Sequence, residues 1–573
     1  MEEKKIIYQT FPRLFGNQSA TKKPAGTLRK NGCGKMNDYT HKALQSIRKL
    51  GCNYIWYTGI IQHAQRTDYT AYGIPNGNPH IIKGEAGSPY AITDYYAVDP
   101  DLAIDVNNRM AEFDALVDRT HQNGMKVIID FVPNHVAREY HSVMKPDSVA
   151  DFGAKDQTQY AFHPQNNFYY VPGQEFAPHI DLGSGTSQYH EIPAKATGND
   201  CFHAFPGVND WYETVKLNYG VDYANGARCF DPIPDTWTKM LHILLYWSEK
   251  HIDGFRCDMA HMVPIEFWEW VIPLVKRQYP DIIFIAELYS PELYRDYLFR
   301  GHFDYLYDKV GLYDTLRAIT EGKAPASAIT GQWQLLEGIQ SYMVNFLENH
   351  DEQRGASDFF AGNAWKLIPA LLVSSTLNTN PFLLYFGQEL GEKGMETEGF
   401  SGRDGRTTIF DYWSLDKIVR WNNAGEWNEG RLTPEERSLR NLYSKVLNAC
   451  NREKAIAKGL FFDLMYVNYD SVGFNTDKQY AYLRKHEDEL LIIVVNFSDN
   501  KVVPEVRIPK HAFDYLHIPE GNHSTTELLS GRHTTISLQA DQTVSYPVEA
   551  WSGIILKIGL ADQNREKNKK TNL

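Results

Sequence analysis

Eight short apolar runs, set between longer amphipathic stretches, fill the chain up to about residue 390 and restrict its fold more than any other feature. They are Ile6–Phe11, Tyr54–Thr58, Lys126–Phe131, Gly254–Asp258, Ile282–Glu287, Phe303–Tyr307, Tyr342–Leu347 and Phe382–Phe386. Between most of them lie helical patterns: His41–Leu50, Val106–Gln122, Trp237–Lys250 and Ile265–Gln278. The last carries Phe267, Trp268, Val271, Ile272 and Val275 at helical spacing, with Pro264 at its start, where a missing N–H costs nothing. Alternating strand and helix implies parallel pairing through right-handed crossovers. Eight strands in this order predict a closed βα barrel. An open doubly wound sheet would be favoured by a glycine-rich dinucleotide turn after the first strand, and none is there.

The rhythm breaks once. From Val136 to about Tyr219, Gly, Pro, His, Asn and aromatic residues replace any clean helical pattern, which reads as a functional loop or a small domain. This stretch follows the third strand, on the barrel face where βα loops build active sites. After the helical Pro434–Lys454, the runs Leu460–Val467, Gln479–Arg484, Leu490–Asn496, Lys501–Ile508, Thr534–Leu538 and Gly553–Ile558 predict an all-β antiparallel sandwich. The expected organisation is α/β: a (β/α)8 TIM barrel over residues 1–135 and 220–455, an inserted domain over 136–219, a C-terminal sandwich over 456–560 and a flexible tail over 561–573.

The net charge of −13 argues against a nucleic-acid partner, which needs a basic face. No run approaches the roughly 20 apolar residues of a membrane span. No signal-like apolar region follows Met1-Glu2-Glu3-Lys4-Lys5, and the six dispersed cysteines, without CxxC spacing, form no disulfide framework. A cytoplasmic protein is expected. Thirty-five Tyr and 12 Trp suit stacking on sugar rings, although they suit plain packing too.

In a barrel, polar residues at the C-terminal strand ends face the active-site mouth. The third strand delivers Asp130 and then Asn134-His135, the fourth Arg256 and Asp258, the fifth Glu287, and the seventh Asn349-His350-Asp351. A single strand-end Asp is usually a loop cap; several converging from separate strands, beside Arg and His, are not. Such carboxylates serve metal binding or glycoside cleavage. Hydrolytic metal sites add histidines at ligand spacing such as HExxH, absent here. Retaining glycoside cleavage needs an ionised nucleophile and a protonated acid about 5–5.5 Å apart, and Asp258 and Glu287 come from adjacent strands. Arg256 shares a strand face with Asp258 and would keep it ionised. Ile283-Phe284-Ile285-Ala286 precede Glu287, so an apolar surrounding is expected to keep that carboxyl protonated.

Asp130-Phe-Val-Pro-Asn134-His135, Gly254-Phe-Arg256-Cys-Asp258, Phe284-Ile-Ala-Glu287 and Phe346-Leu-Glu-Asn-His350-Asp351 resemble, in order, the four conserved regions of the α-amylase family. Lys216-Leu-Asn218 resembles the short motif closing that family's inserted domain, and the segments at Ile7–Phe15 and Pro381–Glu389 resemble its first and eighth strands. The match spans roughly residues 6–390. The resemblance implies that Asp258 is the nucleophile, Glu287 the general acid/base and Asp351 the holder of the distorted sugar's hydroxyls. It implies that Arg256 orients Asp258, that His135 and His350 bind the same sugar, and that Tyr90 is the ring on which it stacks, with a packing role for Tyr90 left open. Two departures stand out. His261-Met262 replace the family's Lys-His on the leaving-group side, and Gly87 replaces an Asp of exo-acting members, suggesting an open donor side. Asn134 matches a family calcium ligand, so a structural calcium is left open; no cofactor is otherwise required. The expected substrate is an α-glucan oligosaccharide, cleaved by hydrolysis. A glucanotransferase, or a catalytically dead glucan-binding subunit, are the alternatives, the last disfavoured because all three acids are present.

Overall fold

The computed structural model describes residues 3–183 and 188–560; the expected tail, 561–573, lies outside them. Eight parallel strands close a barrel: β1 (Ile6–Thr10), β2 (Tyr54–Tyr57), β3 (Lys126–Phe131), β4 (Gly254–Cys257), β5 (Ile283–Ala286), β6 (Tyr305–Tyr307), β7 (Met343–Phe346) and β8 (Phe382–Tyr385). Each strand pairs with its sequence neighbours and β8 closes on β1, with Ile7 opposite both Leu383 and Tyr54. The strand period of two sorts the side chains. Ile7, Tyr54, Trp56, Ile128, Ile285, Tyr307, Val344, Phe346 and Leu383 fill the barrel, while Ile6, Tyr8, Ile55, Val127, Ile129, Phe255 and Phe284 join the core under the helices. Burial on both faces is what makes these strands read as continuous apolar runs.

The outer layer also follows the sequence pattern. The helix His41–Leu50 buries Ala43, Leu44, Ile47 and Leu50; Thr40 caps its start by accepting from the Ala43 N–H, and Gly51, at φ 115°, ends it. The helix Ile265–Gln278 buries the five residues expected of it, with Pro264 just outside as the N-cap.

Between β3 and the helix Asp235–Glu249, the described residues form short strands and no helix. The pair His135–Ala137 and Thr214–Lys216 runs antiparallel with His135 opposite Lys216. It brings the two ends of the insertion together beside the barrel mouth.

The C-terminal part is one six-stranded antiparallel sheet, built from β9 (Leu460–Asp463), β10 (Gln479–His486), β11 (Glu489–Asn496), β12 (Gly521–Glu527), β13 (His533–Leu538) and β14 (Ser552–Gly559), in the order β9-β10-β11-β14-β12-β13. Its second layer is slighter than the sequence suggests: a two-stranded ribbon, Glu505–Arg507 with Thr543–Ser545, brings Val506 and Val544 against Ile492, Val494 and Ile554. A short helix, Lys510–Leu516, was not foreseen. Among the described residues no helix is long and apolar enough to cross a membrane.

Candidate active site

At the C-terminal ends of the strands lies a cleft of about 830 Å³ whose walls include Tyr90, His135, Asp258, Glu287, Tyr289 and Asp351. Arg256 lies at the centre of the buried charges. It is 1% exposed, because strand alternation points it into the barrel, where it faces the rings of Trp56, Tyr90 and Tyr307. Its Nη1 donates to Asp258 Oδ1 at 2.8 Å and to Asp130 Oδ1 at 3.4 Å, and its Nη2 stands 2.7 Å from Glu287 Oε2. One planar guanidinium therefore reaches both carboxyls of adjacent strands.

The surroundings of those carboxyls differ from the sequence expectation. Phe284 and Ala286 point outward to the helices, so they do not surround Glu287. Instead Glu287 Oε2 accepts the Met259 N–H at 2.8 Å and Oε1 accepts the Tyr289 hydroxyl at 2.6 Å. Asp258 has its carboxyl pushed well above the ordinary range, first by burial and then by the negative Glu287, with Arg256 opposing.

The seventh strand's loop is fixed from several sides. Gln9 donates to His350 Nδ1 at 2.8 Å, which leaves Nε2 as the N–H, facing Tyr90 Oη at 2.6 Å and Asp351 Oδ2 at 3.0 Å. Tyr90 stacks on the His350 ring, centroids 5.3 Å apart. His350 and then Arg256 hold Asp351 below the ordinary carboxylate range against the effect of burial. Asn349 Oδ1 accepts the Asp351 N–H. The buried pair Arg354–Glu348, 3.1 Å apart, braces the same loop against the Phe386 carbonyl after β8. His135 is buried and kept neutral, its pKa pushed down to about 3 by burial and by the nearby Lys216.

All seven residues expected to act on substrate are thus in one place; Asp258, Glu287, Asp351, His135 and Tyr90 line the cleft, with Arg256 and His350 directly behind them. Asn134 sits deeper: its Oδ1 accepts from Lys216 Nζ at 2.5 Å and its Nδ2 donates to the Gly198 carbonyl. The sequence reading missed Tyr289, although two residues past Glu287 is the position that strand alternation returns to the same side. It also missed Gln9, for which the sequence carries no signal beyond its place in β1.

Gly87 has a physical cause unrelated to the donor side. Its φ is +70°, and a Cβ there would fall 1.6 Å from the Ala64 carbonyl oxygen. No L-side chain fits this backbone. Gly87→Asp is therefore expected to lose stability by more than about 3 kcal/mol rather than to convert the enzyme to exo action; a melting curve within a degree of the parent would contradict this.

The family description "Alpha amylase, catalytic domain" matches residues 9–436. The chain belongs to the alpha-amylase family. Among its relatives, alpha-amylase MalA of Haloarcula japonica is 23% identical over 548 residues, covering 95% of this chain, which spans 61% of MalA's own length. Neopullulanase 2 of Thermoactinomyces vulgaris is 21% identical over 522 residues, 88% of this chain and 71% of that one. The alpha-amylase of Geobacillus thermoleovorans, solved in complex with acarbose, superimposes with a TM-score of 0.62 at 19% identity, covering 97% of this chain and 98% of its own. That likeness carries the family's barrel fold and C-terminal strand-rich sheet.

Proposed function

We propose that this alpha-amylase family member is a retaining hydrolase of α-1,4-glucosidic bonds in maltodextrins and other starch-derived oligosaccharides. The observation that carries the reading is the single Arg256 guanidinium reaching Asp258 and Glu287 at 2.8 and 2.7 Å, with both carboxyls on the cleft wall. Such a grip suits the separation of about 5–5.5 Å used by retaining enzymes. Asp258 attacks the anomeric carbon as the glycosidic oxygen takes a proton from Glu287, and a covalent glycosyl ester forms. Glu287 then removes a proton from water, which attacks the same carbon and frees Asp258. The mechanism requires Glu287 to carry a proton at the moment of attack. Tyr289, a donor to the bare carboxylate, can turn its hydroxyl to accept from the protonated form. Asp351, Tyr90 and His350 form the wall against the sugar at the cleavage point. The six cysteines are all free, which fits a reducing, cytoplasmic setting.

The test is a maltooligosaccharide ladder with products resolved by size and anomer. Shorter chains with new reducing ends, initially α in an early NMR time course, are expected. Initial β product would overturn retention, and chain-length redistribution without new reducing ends would replace hydrolysis by glucanotransfer.

A further inference from the structure

The family resemblance leaves a calcium beside Asn134 open, and there the chain places an amine of its own. Lys216 is 1% exposed, at the end of the short strand paired with His135–Ala137. Its Nζ donates to Asn134 Oδ1 at 2.5 Å and to the Met262 carbonyl at 3.2 Å, and lies 2.7 Å from Asp200 Oδ1. An ammonium has three N–H groups, and these three oxygens come from three separate segments: the loop after β3, the insertion and the loop after β4. The Asn134 amide is fixed in this sense, because its Nδ2 is committed to the Gly198 carbonyl. Calcium takes six to eight oxygens, several of them carboxylate. Here one carboxylate faces an ammonium already hydrogen-bonded in place, and among the described residues no group of three or more His, Cys, Asp or Glu could hold a metal. The donor set fits a monovalent cation carried by the chain and does not fit calcium.

We propose that Lys216 is a built-in cation that ties the insertion to the barrel without a metal and, on the hydrolase reading above, positions Glu287. The second part follows from connectivity. Met262 ends the short turn Ala260–Met262, whose preceding residue, Met259, is held at φ 43° and gives its N–H to Glu287. Holding the Met262 carbonyl therefore holds the turn that carries this donor.

The experiment is thermal unfolding of the full chain with and without chelator, beside Lys216→Met, Lys216→Arg and Asp200→Asn. The parent is expected to melt at one temperature whether chelator or calcium is added, and to carry no stoichiometric metal after dialysis. Lys216→Met should melt several degrees lower; if it does not fold at all, Asp200→Asn should still lose stability while Lys216→Arg, which keeps the charge, loses less. A parent melting point that falls with chelator and returns with calcium would overturn the proposal, as would a Lys216→Met protein melting with the parent. These readouts need no substrate, so a failure of the hydrolase reading would leave them standing. The positioning role has its own readout: in whichever Lys216 variant folds, kcat should fall by a larger factor than KM rises, and the reverse would overturn that part.

Discussion

Asp258→Asn is expected to lower kcat on maltooligosaccharides by at least about 10³-fold, equivalent to roughly 4 kcal/mol of barrier, without lowering the melting temperature. An amide cannot form the glycosyl ester, and replacing the carboxylate relieves the repulsion between two buried acids. Glu287→Gln should be as damaging on the same substrates, for a different reason: the departing sugar oxygen has no proton to take. The two variants separate on α-glucosyl fluoride, whose fluoride leaves unprotonated. There Glu287→Gln should still form the covalent intermediate while Asp258→Asn stays inactive. Equal turnover of the fluoride by both would reverse or erase the assigned roles.

Arg256→Met is expected to cost both activity and fold. The guanidinium is buried among Asp130, Asp258 and Glu287, and removing one member of such a network leaves the others unpaired, a loss of about 3–5 kcal/mol. Its pH dependence is the diagnostic part. Burial already raises Asp130 and Asp258, with Arg256 pulling each down. Without it their folded-state pKa values climb further above the unfolded ones, so the folded chain binds more protons than the unfolded chain over that interval. Stability is then regained as pH falls through the folded pKa values and lost as it rises. Chemical denaturation from pH 5 to 8 should show the gap between variant and parent widening with pH. A gap that narrows toward pH 8 would mean that Arg256 is not the counter-charge.

The barrel was legible because its strands are buried on both faces, so that apolar runs and strands coincide to within two residues at every end. The site residues were legible because strand alternation assigns a side to Arg256 and Asp258 before any coordinate is known. What the sequence hid were contacts between segments far apart along the chain. Glu287 looked apolar from its neighbours in sequence, yet Phe284 and Ala286 point away from it, and its polar partners are Arg256 on β4, Met259 in the loop after β4, and Tyr289. Strand β12 escaped notice because its inward residues are His523, Thr525 and Glu527, so the hydrophobic pattern was silent there. Lys216 sat inside a recognised motif, but its meeting with Asn134 depends on a ladder between residues some eighty positions apart.

That ladder also has a bearing on how the molecule can change. Because His135–Ala137 and Thr214–Lys216 lie side by side, the two ends of the insertion meet at a closed neck, and further ties hold parts of it to the barrel: Asp94 accepts from Ser142, Val143 and Met144, and Lys239 donates to Asp151 and Asn167. Lengthening a loop whose ends are already joined costs little, since closure entropy grows only with the logarithm of length. Segments of the stretch that carry none of these ties can therefore be lengthened with the neck left intact, giving a cleft wall that can be remodelled while β3 and β4 keep their geometry.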